Sequence, residues 1–356
     1  MTYRVSIVGL GVFADGLLEP ADPPGLGMNW PTSHAGAIAV RPDATLLSVC
    51  DLNPQRLASF ETRWRTHFPA MTCHPSLSDL FASEVPDILI VATPDNRHRT
   101  IVEEAVAAGV RAILCEKPLA TTREDGRAMI RLCQEKNVAL VIDHTRRWYP
   151  NFHEAIRRIK AGVIGRVTHT NALFGGPRAM LFRNATHLVH GVFLLTGQTP
   201  LRVRATLDAP FENYPGHYAG DGGTSPDTDP AGSISITMTD GATAHLRVAR
   251  SLYPTFELDV IGDKGRIVLG THKSQMEILS PQNELDVTQI RHIQTTDSHM
   301  RGPLSETILQ LEASPRSYAS ALEAETVLHV LLAALESNAA GGQAIEIAGA
   351  TVTPFS

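Results

Sequence analysis

Four cysteines in 356 residues are too few, and too irregularly placed, to staple a fold. Cys50, Cys73, Cys115 and Cys133 show no CxxC spacing, so a zinc ribbon and a thiol–disulfide motif are both excluded. Two of them fall in apolar runs, where free cysteine behaves as a small hydrophobe. That usage fits a reducing compartment, and a cytoplasmic location is expected. Basic charge is also scarce: the formal net charge is -6, which leaves no electrostatic footprint for nucleic acid or an anionic membrane. Long apolar runs are missing. Those near 188–195 and 327–335 fall far short of the ~20 residues a helix needs to cross a bilayer. Met1-Thr2-Tyr3-Arg4 leads directly into a strand-like run, so no secretory signal is expected. What is present is apolar material, 43% of residues. The length exceeds one ordinary core and fits two domains. Small molecules remain as partners.

The first third alternates short apolar runs with helix-forming stretches. Val5-Ser6-Ile7-Val8 ends in Gly9-Leu10-Gly11. A strand running into Gly-x-Gly opens a dinucleotide fingerprint, because glycine lets the backbone approach a pyrophosphate at a helix N-terminus. Val12 and Phe13 continue the loop, and the third small residue is Ala14 or Gly16. A Pro/Gly-rich insertion over 19–30 precedes a helix that Thr32 or Ser33 is placed to cap.

A second strand, 45–50, delivers Asp51. An acid there is placed for the adenosine ribose hydroxyls and would repel a 2′-phosphate. Unit charges about 4 Å apart repel by roughly 1 kcal/mol in water and about 4 kcal/mol near a protein surface, roughly tenfold to a thousandfold in favour of NAD over NADP. Asp51 could instead cap the helix that begins at Pro54, and Arg56 could pair a phosphate. Runs at 87–92, 111–115 and 139–142, with helices at 100–108 and 124–136, complete βαβ units and give a doubly wound parallel sheet. Thr93-Pro94-Asp95-Asn96-Arg97-His98 follows one of these strands and Glu116-Lys117-Pro118 the next. His98 reads as a helix-start residue or as a cofactor contact. Open α/β sheets bind ligands outside the carboxyl ends of their strands, which makes Lys117 the residue best placed for chemistry.

This ordered set, with Arg146-Arg147-Trp148-Tyr149-Pro150, the stretch Ile159 to Val167 and the tail Ala321 to Gly342, resembles the glucose-fructose oxidoreductase/inositol dehydrogenase family, usually called Gfo/Idh/MocA. The likeness covers nearly the whole chain. It implies an α/β fold: an N-terminal Rossmann domain over 1–145, and a C-terminal α+β domain over 146–356 built on a large, mostly antiparallel sheet. It implies Lys117 at the nicotinamide, Pro118 after a cis peptide, and a sugar or cyclitol as substrate.

Past Asn151 the residues themselves change character. Strand-like runs at 166–174, 233–239, 242–250, 255–261 and 265–269 are separated by turns such as Asp240-Gly241. Alternation such as Ile234, Ile236, Met238 buries one face of an antiparallel sheet and leaves the other for water or a subunit. A homo-oligomer, dimer or tetramer, is expected. Residues 208–232, rich in Gly, Pro and Asp with Tyr214 and Tyr218, read as a lid, a subunit contact or disorder.

Within Arg183-Asn184-Ala185-Thr186-His187-Leu188-Val189-His190 a helix is expected over 185–196, capped by Asn184 and ended by Gly197. His187 then sits in the first turn, where its titration near neutrality suits proton removal from a hydroxyl. In the inositol dehydrogenase pattern acids stand where this chain has Arg183 and His190. His187 and His190 stand at i, i+3, but no third ligand has a recognisable spacing, so no metal is expected.

The expected site is therefore Lys117 and His187 for catalysis. Gly9, Gly11, Val12, Phe13, Asp51, Thr93, Pro94, Asn96, His98, Glu116 and Lys117 are expected along NAD. Lys117, Arg147, Tyr149, Arg183, Asn184 and His187 are expected around the substrate. Arg146, Arg147, Arg178 and Arg183 hint at an acidic substrate. The leading expectation is an NAD-dependent oxidoreductase acting on a secondary alcohol or ketone of a sugar, cyclitol or derivative. The alternatives are an NAD-dependent glycoside hydrolase or lyase that recycles its cofactor, and a non-catalytic NAD-binding regulator.

Overall fold

The computed structural model describes residues 2–15, 32–177, 179–208, 218–221, 228–251, 253–271, 273–280, 282–290 and 299–347. The chain begins with β1 (Tyr3–Val8), α1 (His34–Ala39), β2 (Ala44–Cys50), α2 (Pro54–Trp64), β3 (Thr72–His74) and α3 (Leu77–Ser83). It continues through β4 (Ile88–Val91), α4 (His98–Ala108), β5 (Ala112–Cys115), α5 (Arg123–Glu135) and β6 (Ala139–Ile142). The strands form a six-stranded sheet in the order β3-β2-β1-β4-β5-β6, and every pairing is parallel. Every residue of β4, β5 and β6 is buried, as strands covered on both faces require. Ser33 and Thr122 cap α1 and α5 with their side chains, and Gly109 ends α4 in the left-handed region. The strand order reverses between β1 and β4, which opens a crevice at their carboxyl ends.

The second sheet follows α6 (Pro150–Lys160) and contains β7 (Val167–Gly176), then, after α7 (Thr186–Thr196), β8 (Pro200–Leu207), β9 (Gly232–Met238) and β10 (Thr243–Arg250). β11 (Thr255–Gly262), β12 (Gly265–Gly270), β13 (Ser274–Leu279) and β14 (Leu285–Gln289) complete its main run. The last elements are α8 (Arg301–Glu312), α9 (Ala319–Ala339) and a two-residue edge strand, β15 (Ile345–Glu346). The order is β14-β13-β12-β11-β7-β10-β9-β8-β15, parallel only between β7 and β10. Ile234, Ile236 and Met238 point into the core as their alternation requires.

The expected strands form within one or two residues of their anticipated limits. β3, α3, α6, β8, β13, β14, α8 and β15 have no counterpart in the expectation. α8, on the far side of the expected division at 145 and 146, packs against β5, β6 and α1. Its Leu304, Ile308 and Leu311 join one core with Ile7, Ile90, Leu114 and Val141. α9 runs between the sheets, against α5, β6, α7 and β8. No helix among the described residues is long and apolar enough to cross a membrane. Gly16, Arg178 and Tyr214 lie outside the described residues, as does most of the 208–232 stretch.

Candidate active site

Gly9 leaves β1 with φ +87°, and a Cβ there would lie 2.6 Å from the Ala92 carbonyl oxygen, so the crossing of the β1 and β4 exits admits only glycine. Gly11 has open space where its Cβ would be, and Val12 is 85% exposed beside it. Asp51, at the end of β2, reaches across: its Oδ2 accepts from Leu10 N at 2.7 Å and its Oδ1 from Asn53 N at 2.8 Å. It does not cap α2, because Asn53 does. Arg56 stands 3.7 Å from the same carboxylate.

Past β4, Pro94 leads into a 3-10 turn, Asp95–Arg97. The Thr93 hydroxyl is buried with no hydrogen-bond partner, and Asn96 N donates to Gly220 O at 2.8 Å. His98 opens α4. Its fully buried ring lies against three carbonyls, with Nδ1 at 3.1 Å from Pro118 O and 3.3 Å from Leu119 O, and Nε2 at 3.3 Å from Thr93 O. It clips the β4 exit to the segment that carries Lys117.

Lys117 is 6% exposed and precedes Pro118 through a cis peptide. Its Nζ donates to Arg183 O at 3.0 Å and lies 5.5 Å from the Phe13 ring centre. Burial draws the Lys117 pKa down, against the pull of Glu116, Asp95 and Asp143. Glu116 Oε1 bonds His34 Nε2 at 2.9 Å.

His187 is set by what precedes it. Leu181–Ala185 forms a π-helical turn held by Asp229, which accepts from Phe182 N at 2.8 Å and Arg183 N at 2.9 Å. Asn184 belongs to this turn, so it is not the cap of α7, which starts after Ala185 without a side-chain cap. The Asn184 Oδ1 and His187 Nδ1 atoms are both buried without hydrogen-bond partners. Burial holds the His187 pKa well below the usual histidine range, helped by Arg146 and Lys117. Its ring stands edge-on to His144 at 5.9 Å.

His190 stacks on His144 at 4.4 Å and bonds Glu323 of α9 through Nε2 at 3.1 Å. Arg147 joins the same carboxylate: Nη1 reaches both Glu323 oxygens, at 2.6 and 2.7 Å, and Nε reaches Glu306 at 3.2 Å. Tyr149 is 8% exposed and packs with Phe152 and His299. Arg183 pairs with Asp95 at 3.5 Å, and Arg146 lies over the Phe256 ring at 4.4 Å. Arg147 and Arg183 are thus paired with acids of the chain, whereas Arg146 lies against the Tyr149 and Phe256 rings. Sequence reasoning missed Glu323, Asp229, His144 and Asp143. A glutamate amid the apolar residues of α9 is a signal that could have found the first, since an acid on such a helix is buried only when paired.

Two descriptions of one family match the chain: "Oxidoreductase family, NAD-binding Rossmann fold" over residues 3–144 and "GFO/IDH/MocA C-terminal domain" over residues 152–268. The chain belongs to the GFO/IDH/MocA oxidoreductases. It is 30% identical over 242 residues to D-apiose dehydrogenase of Paraburkholderia graminis, covering 64% of this chain and 61% of that one. It is 24% identical over 249 residues to inositol 2-dehydrogenase of Rhizobium meliloti, covering 66% and 70%. The matched stretches span about half the length of the curated relatives. An oxidoreductase from Agrobacterium radiobacter, crystallised with NAD+, L-tartaric acid and magnesium, superposes with a TM-score of 0.74 at 19% identity, covering 98% and 99% of the two chains. That likeness shows the fold. In this GFO/IDH/MocA oxidoreductase the residues along the crevice fit NAD. Gly9 and Gly11 keep the loop low, Asp51 stands at the end of β2, and the orphaned Thr93 hydroxyl marks a place for a polar ligand group.

Proposed function

We propose that this GFO/IDH/MocA oxidoreductase transfers a hydride between NAD and a secondary alcohol or ketone of a sugar, cyclitol or derivative. The observation that carries this reading is the meeting of Lys117 from the β5 exit with the turn that leads into His187: Lys117 Nζ is bonded to Arg183 O, four residues before the histidine. NAD, when bound, supplies the hydride acceptor. His187, kept uncharged by burial, takes the hydroxyl proton, and Lys117 donates a hydrogen bond to the same oxygen. Asn184, with an unpartnered buried Oδ1, accepts from a second hydroxyl.

The His190–Glu323–Arg147 group takes the place of the acids the sequence lacks near His187. It fixes the His144 and His190 rings that back the site, which favours a catalyst over a non-catalytic regulator. The four cysteines are unpaired and three are buried, which supports a cytoplasmic setting. The outward face of the second sheet, with Asn171, Ser233, Ser235, His245 and Arg247, supports assembly into a homo-oligomer.

The test is net NADH formation across a panel of sugars and cyclitols, comparing the native protein with Lys117→Met. We expect stoichiometric NADH with at least one substrate and a hundredfold to ten-thousandfold loss in the variant, about what one general acid or base contributes. Turnover without net NADH would replace this reading with a cofactor-recycling hydrolase or lyase.

A further inference from the structure

Behind Lys117, at the exits of β5 and β6, three titratable side chains are enclosed together. His34 opens α1, Glu116 ends β5 and Asp143 follows β6; they are 1%, 7% and 1% exposed. His34 Nε2 lies 2.9 Å from Glu116 Oε1 and 4.0 Å from Asp143 Oδ2. Neither oxygen of Asp143 has a hydrogen-bond partner, nor does His34 Nδ1. One imidazole thus faces two buried carboxylates, and like charges that close cannot both stay ionised without further compensation. The remaining charged or titratable groups that act on the cluster are Lys117 and Arg146 on Asp143, and Lys117 and His98 on Glu116.

We propose that Asp143, held by His34 and Glu116, is a proton-sharing partner of Lys117: it keeps its proton while Lys117 is neutral and yields it to solvent when Lys117 is protonated. The net charge is the same in both forms. With the His34–Glu116 pair unchanged, protonated Asp143 with neutral Lys117 carries the same net charge as ionised Asp143 with charged Lys117. Buried Lys117 can then change protonation without changing the net buried charge, a change the interior strongly disfavours. The titration pattern agrees. Burial, followed by the Glu116 charge, raises the Asp143 pKa to about 8, while His34 and, after it, Lys117 lower it; Glu116 falls below the usual range, opposed by burial but drawn down by His34. Asp143 acts through Lys117 and is a positioning residue. Its kinetic consequence rests on the proposed function; its proton does not.

The experiment is infrared difference spectroscopy of the full chain with NAD, titrated through about pH 8. The expected result is a protonated-carboxyl band that fades as the pH rises, is lost in Asp143→Asn, and persists to higher pH in Lys117→Met, where the competing positive charge is gone. His34→Gln provides a second variant should Asp143→Asn fail to fold, and it too shifts the band to higher pH. In turnover, Asp143→Asn moves the alkaline limb of kcat to lower pH and leaves KM unchanged. A band absent from the native protein, or one whose midpoint ignores Lys117→Met, overturns the proposal. So does a stoichiometric divalent metal that is lost in Asp143→Asn, since the three side chains would then be its ligands. Because the band is read without substrate, failure to find any turnover overturns the proposed function alone.

Discussion

At the scale of single residues, position relative to the crevice decides function more than residue type does. Asp51 is tethered through both oxygens to backbone amides of its own loop and of the glycine loop, so it cannot swing aside for a 2′-phosphate. Arg56, with its side chain 58% exposed, is already near that carboxylate. NAD should therefore bind roughly tenfold to a thousandfold more tightly than NADP, and Asp51→Ala should narrow that gap; equal affinities for the two cofactors in fluorescence titration would remove the argument. For His187 the sign is set by a folded pKa below the usual value. The ring stays uncharged, and able to accept a proton, from neutrality down through the ordinary histidine range. The acid limb of kcat/KM assigned to it should lie below that range and vanish in His187→Asn. A limb at the usual histidine position would contradict the burial argument.

At the scale of elements, α7 and α9 do what the local sequence around His187 does not. The π turn held by Asp229 sets the phase of α7, and the Glu323 carboxylate of α9 joins Arg147 and His190 in one buried group. Removing one partner strands the others: Glu323→Ala should destabilise the protein by about 3–5 kcal/mol, read from the denaturant midpoint, while an exposed change such as Glu103→Ala should cost less than about 1 kcal/mol. α8 carries a comparable load for the first sheet. Leu304 is completely buried there, and Leu304→Ala should cost about 2–5 kcal/mol. A cost near zero would mean that α8 is not part of that core.

Across the whole molecule, the two sheets are joined by helices that come late in the chain. α8 closes the face of the first sheet and α9 lies between the two. The parts should therefore unfold together, with fluorescence from buried Trp64 and far-UV circular dichroism following one transition; two separated transitions would show the sheets to be independent. The alternation of strand and helix in the first third was legible because a parallel sheet buried on both faces writes itself as apolar runs with glycine at their ends. The Gly9 loop, Asp51 and the strand-end placement of Lys117 followed from that pattern. β8, β13, β14 and α8 were not legible, since their apolar residues acquire meaning only against partners far along the chain.

By itself, then, the sequence determined the strand–helix alternation of the first third, the parallel first sheet and which residues leave its strands at the crevice, because each depends on periodicity and turn chemistry within a few residues. The tertiary structure alone decided what those residues face. It set His98 against the carbonyls of Thr93, Pro118 and Leu119, drew Arg147 to Glu323 across 176 positions, and set Asp143 beside the His34–Glu116 pair. Buried charges and unpartnered polar atoms take their meaning from neighbours that chain order does not record.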